Sequence, residues 1–116
     1  MAVGEPSGGD LPVEVVDMLT WLRVERGRAA NTLRAYTNDL RCYVAWLDAN
    51  GLSIGSVSED DVARFVGHVR STGLAEASVK RTFVAVRGLH RFLAAESEGR
   101  LDPTANLELP DRKSVV

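Results

Sequence analysis

The sequence predicts an all-α protein, a bundle of four helices in which helix one pairs with helix two and helix three with helix four. Apolar residues recur at spacings of three and four in four separate stretches, and no stretch of comparable length alternates as a strand would. The connections between these stretches are short, which favours two helical hairpins. With 116 residues, of which 45% are hydrophobic and 26% charged, the chain can bury one core without disulfides.

The first two helices have clear apolar faces. Helix one is expected over residues 11–25. Asn31 and Thr32 are predicted as the N-cap of helix two, which should end before Gly51. The predicted buried residues are Val15, Met18, Leu19 and Leu22 in helix one, and Leu33, Tyr36, Leu40, Tyr43, Val44 and Leu47 in helix two.

The second pair of helices follows a short Gly/Ser loop. Ser58 and the three acids after it predict a capped start for helix three, and Gly73 should end it. Helix four is expected over residues 76–96, although Ala75 stands where a Ser or Asp cap is usual. The predicted buried residues are Val62, Phe65, Val66 and Val69 in helix three, and Val79, Phe83, Val86, Leu89 and Leu93 in helix four.

The chain should divide into three segments. Residues 1–10 hold three glycines, a proline and a serine without periodicity, which is typical of a flexible tail. Residues 11–100 are predicted to form the helical domain. Residues 101–116 contain two prolines and no regular stripe, so they are expected to form a linker or extended arm.

Several functional classes are disfavoured. No apolar run approaches the roughly 18 residues of a membrane span, and the N-terminus lacks a secretory pattern, so a cytoplasmic protein without a membrane partner is expected. A single cysteine, Cys42, excludes an internal disulfide and cannot make a zinc site without other ligand types, which are scarce in this sequence. No Gly-rich phosphate loop is present. Neither a cofactor, a metal ion nor a small-molecule substrate is expected.

The residues that could support catalysis have simpler structural interpretations. His68 and His90 lie within predicted helices, and His90 is expected to pack against the core. Cys42 lies opposite the apolar side of helix two, without a neighbouring histidine in sequence. Tyr36 and Tyr43 fall within the apolar arc and are expected to pack in the core. The acids at 59–61 compensate the dipole of helix three better than they suit a metal ion.

The distribution of charge is more informative than the net charge of -2. Residues 28–50 and 76–100 carry three and five of the 14 bases, against two and three of the 16 acids. Lys80, Arg87 and Arg91 fall within about 40° of arc on helix four, away from its apolar side, with Arg81 on one flank. An outward cationic ridge of this kind can bind phosphates.

Helix two has a similar outward side. Arg34, Asn38 and Arg41 lie opposite its apolar stripe, and arginine or asparagine there could reach base edges in a major groove. The first turn, with Asn31 and Thr32, could offer backbone N–H groups to a phosphate. These patterns are also those of an ordinary solvated helix face, so two interpretations stay open: nucleic-acid binding, and a helical protein-interaction module whose basic ridge meets an acidic partner.

Short motifs on the same helices resemble a known family. Residues 31–36 (NTLRAY), 39–40 (DL) and 46–47 (WL) look like the second helix of the N-terminal core-binding domain of tyrosine recombinases, the phage-integrase and Xer-type enzymes. The fourth helix of that domain is similar to 77–81 (ASVKR), 86–87 (VR) and 92–93 (FL), and the strap that follows it is similar to 102–104 (DPT) and 109–110 (LP). The resemblance covers about residues 12–113.

The resemblance implies a SAM-like fold, an orthogonal bundle of two crossed helical hairpins that forms half of a clamp on double-stranded DNA. It implies that helices two and four face the major groove of a half-site. By position, that face would use Asn31, Thr32, Arg34 and Arg41, with Ser78, Lys80, Arg81 and Arg87; Arg91 joins them from the charge pattern alone. Other recombinase protomers are the implied protein partners.

The catalytic domain of that family has no counterpart in this sequence. It would supply Arg, Lys and His residues around a tyrosine nucleophile, and the chain stops where that domain should start. Neither Tyr36 nor Tyr43 is therefore expected to act as a nucleophile, and the chain by itself is expected not to be an enzyme. A self-contained enzyme is the less favoured alternative. The leading hypothesis is the DNA-binding domain of a site-specific tyrosine recombinase that acts in DNA integration or in chromosome dimer resolution.

Overall fold

The computed structural model describes residues 11–109. They form four α-helices and no strand: α1 (Val13–Val24), α2 (Ala30–Ala49), α3 (Glu59–Ser71) and α4 (Glu76–Glu96). Helix α4 packs against the other three, most extensively against α2. The predicted all-α bundle of two crossed helical hairpins, α1–α2 and α3–α4, is confirmed. The tail predicted over residues 1–10 lies outside the described residues.

Buried apolar side chains from all four helices meet in one core. The predicted stripes supply most of it, whereas Leu19, Leu33, Tyr36 and Val44 are only partly buried. The buried members on the helices are Val15, Met18, Leu22, Leu40, Tyr43, Leu47, Val62, Phe65, Val66, Val69, Val79, Phe83, Ala85, Val86, Leu89 and Leu93.

Two tryptophans pack at different borders of this core. The ring centroid of Trp21 in α1 lies 5.3 Å from that of Phe92 in α4. Trp46 in α2 lies 5.5 Å from Phe65 in α3 by the same measure. The α1–α4 and α2–α3 contacts therefore each contain one tryptophan.

The start of α2 differs from the prediction. The helix begins at Ala30 with Ala29 as an extended N-cap residue (φ −66°, ψ 152°), so the prediction of Asn31 and Thr32 as N-cap residues was wrong. Alanine has the highest intrinsic helix propensity, so the helix extends back past the two polar residues. The Asn31 side chain accepts a hydrogen bond from Arg34 instead of capping backbone N–H groups.

The other helix boundaries follow the local signals. Ser58 caps α3 in a reciprocal capping box: its Oγ accepts from the Asp61 N–H at 3.1 Å, and Asp61 Oδ2 accepts from the Ser58 N–H at 3.0 Å. Gly51 after α2 and Gly73 after α3 adopt positive φ values of 69° and 87°, which side chains with a Cβ rarely tolerate.

Residues 101–109 lie against the bundle. Thr104 is fully buried, and Asp102 Oδ1 accepts hydrogen bonds from its N–H at 2.8 Å and its Oγ1 at 2.6 Å. Leu107 and Leu109 are partly buried against the core. The described part of the predicted linker thus contributes to packing, and the division of the chain into domain and linker stays a prediction; residues 110–116 lie outside the described range.

Candidate nucleic-acid interface

The outward side of α2 carries two asparagine–arginine pairs. We call Asn31, Arg34, Asn38 and Arg41 the α2 face, because at 3.6 residues per turn they share one side of the helix, opposite buried Leu40. Arg34 Nη1 donates to Asn31 Oδ1 at 2.8 Å, and Arg41 Nη1 donates to Asn38 Oδ1 at 3.3 Å. Each asparagine therefore holds the arginine one turn further along, while most guanidinium N–H groups keep their capacity to donate.

The outward side of α4 carries Lys80, Arg87 and Arg91, the α4 ridge. Lys80 and Arg91 are exposed and form no ion pair or hydrogen bond within residues 11–109. Arg87 is half-buried, with its guanidinium carbon 5.5 Å from the ring centroid of Phe83. Its Nε is buried and has no hydrogen-bond partner among the described residues. The ridge thus combines two freely projecting cations with one that is restrained by an aromatic ring.

Arg81 has a different environment from the other cations of α4. Its Nε donates to Asp39 Oδ2 and its Nη2 donates to Asp39 Oδ1, both at 2.8 Å. Thr82 Oγ1 donates to the same Oδ1 at 3.1 Å. These hydrogen bonds to Asp39 raise the pKa of the Arg81 guanidinium, more than desolvation lowers it. Arg81 thus connects α4 to α2, and its role at a DNA surface stays a prediction.

Sequence reasoning did not single out Asp39 as a functional residue. Its side chain is only 7% exposed, against 43% for Arg81. The sequence did indicate an unusual position for Asp39, because it lies on the same side of α2 as Leu40 and Tyr43. A charged residue on a buried side of a helix needs a partner. Nothing in the sequence showed that Arg81, 42 residues away, supplies it.

The predicted residues at the helix starts lie in first turns. Thr32 in α2 and Ser78 in α4 are half-buried. The first turn of α2 contains no acid, whereas that of α4 contains Glu76, which would repel an anion. Arg70 at the end of α3 compensates this charge, with its Nε donating to Glu76 Oε1 at 3.4 Å and its Nη2 to Oε2.

Tyr43 and His90 are core residues. The Tyr43 hydroxyl and His90 Nε2 share a hydrogen bond of 2.7 Å, which confirms the packing role predicted for His90. Burial raises the pKa of the Tyr43 phenol above its ordinary value and lowers the pKa of the His90 imidazole to about 4. A phenol this hard to ionise is poorly suited to nucleophilic attack.

The other residues considered for catalysis lie at or near the surface. Cys42 and His68 are both exposed, and Tyr36 is half-buried. Within residues 11–109, no three His, Cys, Asp or Glu side chains are grouped so that they could hold a metal ion. No helix in this range has the length and apolar character needed to cross a bilayer.

These features define a class: a four-helix domain whose distinctive surfaces are the outward cationic sides of α2 and α4. Residues 17–97 match the family model described as phage integrase, N-terminal SAM-like domain. The chain belongs to this family, and the resemblance on the motifs of α2 and α4 is confirmed.

Curated relatives agree with this membership. The chain is 38% identical over 120 aligned residues to tyrosine recombinase XerD of Mycobacterium tuberculosis (strain CDC 1551 / Oshkosh), which covers 90% of this chain and 39% of that protein. It is 33% identical over 92 residues to tyrosine recombinase XerD of Chlorobaculum tepidum, an alignment that covers 79% of this chain and 30% of that protein. It is 31% identical over 113 residues to tyrosine recombinase XerD of Agrobacterium fabrum, an alignment that covers 97% of this chain and 34% of that protein.

The chain thus spans between 30% and 39% of the length of these three relatives. No solved structure matches it.

Proposed function

We propose that this chain is the DNA-binding domain of a site-specific tyrosine recombinase and holds a half-site of double-stranded DNA through α2 and α4. One observation carries the proposal: the α2 face and the α4 ridge lie on the two helices that the family resemblance assigns to DNA. The residues that define the two surfaces include no acid, and nearby Glu76 is paired with Arg70, although the chain as a whole is slightly acidic. Local positive charge, not net charge, determines how a phosphate backbone interacts with such a surface.

Two sets of residues, each drawn from both helices, have different roles in recognition. Phosphate contacts from Arg34, Lys80, Arg87 and Arg91 would supply most of the affinity and fix the orientation on the duplex. Residues near the helix starts, Asn31, Thr32 and Ser78, would contact base edges or phosphates next to them; Arg41 would add a further contact from the α2 face.

The activity of the whole protein is part of the proposal. The relatives are tyrosine recombinases, so the complete protein would break and rejoin DNA strands together with other recombinase protomers, in the cytoplasm. The tyrosine nucleophile would come from outside residues 1–116: Tyr43 is buried and bonded to His90, and Tyr36 is half-buried against the core. Both integration of an element and resolution of chromosome dimers fit this activity.

Fluorescence-anisotropy titration of the chain on labelled duplex DNA tests the proposal. Binding is expected at about 50 mM salt and should weaken strongly by about 200 mM. Lys80→Ala combined with Arg91→Ala should weaken it at least tenfold at the lower salt, because each lost phosphate contact reduces counterion release. Both side chains are exposed and unpaired within residues 11–109, so the variant should fold normally.

The matched control removes the same charge elsewhere. Arg23→Ala combined with Arg26→Ala changes one exposed residue in the last turn of α1 and one that follows the helix and lies over the Trp21 ring, and it should leave DNA affinity within about twofold. If the unmodified chain does not bind DNA at low salt, or if the two double variants lose affinity equally, the proposal is wrong. Binding of an acidic protein through the α4 ridge without DNA binding would instead support the interaction-module alternative. Relaxation of supercoiled plasmid by the chain alone would contradict the assignment as a non-catalytic domain.

A further inference from the structure

The ion pair between Asp39 and Arg81 is unlike the other charged contacts of the domain. The carboxylate is 7% exposed while the guanidinium is 43% exposed, so one partner is anchored in the protein and the other reaches the surface. By comparison, the Arg64–Asp61 pair lies within one helix and has a carboxylate that is 19% exposed. A buried carboxylate is costly unless it is well paired, so its presence needs an explanation.

The geometry of the pair fixes the direction of the guanidinium. Asp39 accepts from Nε and Nη2, which occupies one long edge of the planar group. The carboxylate is itself held by Thr82 Oγ1. A guanidinium that is bound along one edge cannot rotate freely about its last torsions, in contrast to the unpaired cations Lys80 and Arg91.

The outer end of the Arg81 guanidinium keeps its N–H donors. Arginine has five N–H donors, and Asp39 uses one on Nε and one on Nη2. Nη1 makes no hydrogen bond to any of residues 11–109, and the side chain as a whole is 43% exposed. Two adjacent N–H groups, one on Nη1 and one on Nη2, thus remain at the partly exposed end of the side chain. Two such parallel donors match the O6 and N7 acceptors of guanine in a major groove.

The position of Arg81 also suits base contact. It lies on α4 and its partner lies on α2, so the guanidinium is at the junction of the two helices that carry the cationic surfaces. A mobile lysine is adequate for a phosphate, whose position carries no sequence information. A prealigned arginine loses little side-chain entropy on binding, which favours an oriented bidentate contact.

From these observations, and resting on the proposed function, we infer that Arg81 reads a guanine in the target DNA and that Asp39 is the positioning residue that aims it. Asp39 touches no DNA in this arrangement. Its contribution is to hold Arg81 in the one orientation in which both outer donors reach the same base.

The test is selection of binding sites from a library of duplex DNA with a randomised centre, followed by sequencing. The 116-residue chain should enrich a motif that contains a guanine sensitive to Arg81→Lys, which keeps the charge but not the fork of donors. At that position the preference for guanine should fall about tenfold, while preferences elsewhere in the motif are kept. Asp39→Asn should lower the preference at the same position.

Matched variants separate positioning from stability. Arg23→Lys is the control, since Arg23 is exposed on α1, outside both cationic surfaces, and it should leave the motif unchanged. Thr82→Val removes one hydrogen bond to Asp39. It is used in place of Asp39→Asn if the Asp39→Asn protein melts below the assay temperature. It should reduce the same guanine preference by a smaller factor. A merely structural role for Asp39 would change melting temperature without changing preference at one base.

The outcomes distinguish this inference from the proposed function. If the chain binds duplex DNA but Arg81→Lys selects the same motif, or if no motif emerges, Arg81 contacts phosphate at most and the inference is wrong. If Arg81→Lys loses the guanine and neither Asp39→Asn nor Thr82→Val changes it, Asp39 is not a positioning residue. If the chain does not bind DNA at low salt, the proposed function fails as well.

Discussion

Tyr43 and His90 join the middle of α2 to the second half of α4 by a hydrogen bond of 2.7 Å inside the core. Their rings also meet edge to face, with centroids 5.8 Å apart. Asp39 of α2 adds further polar links to the same helix, since it accepts hydrogen bonds from Arg81 and Thr82 of α4. Because α2 and α4 carry the cationic surfaces, their relative position matters to any ligand that contacts both.

Replacement of Tyr43 by phenylalanine should destabilise the domain. The ring would stay in place, but His90 Nε2 would lose its only hydrogen-bond partner within residues 11–109 while remaining buried. An unpartnered buried polar group costs about 1 to 3 kcal/mol. Urea unfolding followed by circular dichroism should show a loss of this size. Tyr36→Phe is the control, because Tyr36 is half-buried and makes no side-chain hydrogen bond in the described range. This variant should lose no more than about 0.5 kcal/mol of unfolding free energy.

Stability should fall in mildly acidic solution because of His90. Its pKa is about 4 in the folded protein and about 6.5 when unfolded, so the unfolded chain binds an extra proton between these values. The free energy of unfolding should therefore decrease as the pH falls from about 6.5 towards 4, by at most about 3 kcal/mol. Urea titrations at several pH values measure this slope.

Two histidine variants identify the group responsible. His90→Gln should be less stable at neutral pH and should lose most of the slope between pH 6.5 and 4.5, because the titrating imidazole is gone. His68→Gln changes an exposed histidine and should keep the slope. An unchanged slope in His90→Gln would show that other groups cause the acid sensitivity.

The capping box of α3 should contribute measurably to stability. Ser58→Ala removes the Oγ that accepts from the Asp61 N–H, and such losses typically cost about 1 kcal/mol. Hydrogen exchange should quicken for the first turn of α3 in particular. Ser97→Ala provides the comparison, because Ser97 follows α4, is exposed and makes no side-chain hydrogen bond in the described residues. Equal losses of stability in the two variants would mean that the capping box does not contribute to stability.

Asp102 should stabilise the segment that follows α4. Asp102→Ala removes both hydrogen bonds to Thr104, which is fully buried, and should cost about 1 to 2 kcal/mol. Glu98→Ala removes an equal charge from an exposed position four residues earlier and should change stability by less than about 0.5 kcal/mol. Thermal melts of the two proteins compare them directly. If Asp102→Ala does not change the melting temperature, this segment contributes little to the stability of the bundle.

The salt dependence of DNA binding should report the number of phosphate contacts. With four to six contacts, the slope of log K against log salt should be about -4 to -5. Lys80→Ala should make the slope less steep by about one, since it removes one exposed cation from the α4 ridge. Arg23→Ala on α1 should not change it. A slope near zero for the unmodified chain would be incompatible with a phosphate-binding surface.

The helical periodicity predicted most of the fold. The apolar stripes placed four helices correctly, and the Ser58 signal located the start of α3 to the residue, because a cap and its neighbouring acids are local chemistry. At α2 the same reasoning failed: Asn31 and Thr32 have cap-forming side chains, but Ala29 and Ala30 let the helix start earlier. A cap preference is weaker than the cooperative extension of a helix through alanine.

The candidate site was predictable only as separate helix faces. The outward positions of Lys80 and Arg91 follow from the helical period, and the structure places both in solvent. The pairing of Arg81 with Asp39 joins residues 42 positions apart, and no local pattern encodes it. The burial of Thr104 was missed for a related reason, since an Asx-type turn has no periodic signature.

The placement of the two tryptophans gives the domain a pair of built-in optical probes. Trp21 reports on the contact of α1 with α4, and Trp46 on that of α2 with α3. With the other indole replaced by phenylalanine, the emission of each one follows a different contact between the two hairpins. Coincident unfolding curves would mean that both contacts are lost in one cooperative transition, whereas separated curves would reveal a contact that opens first.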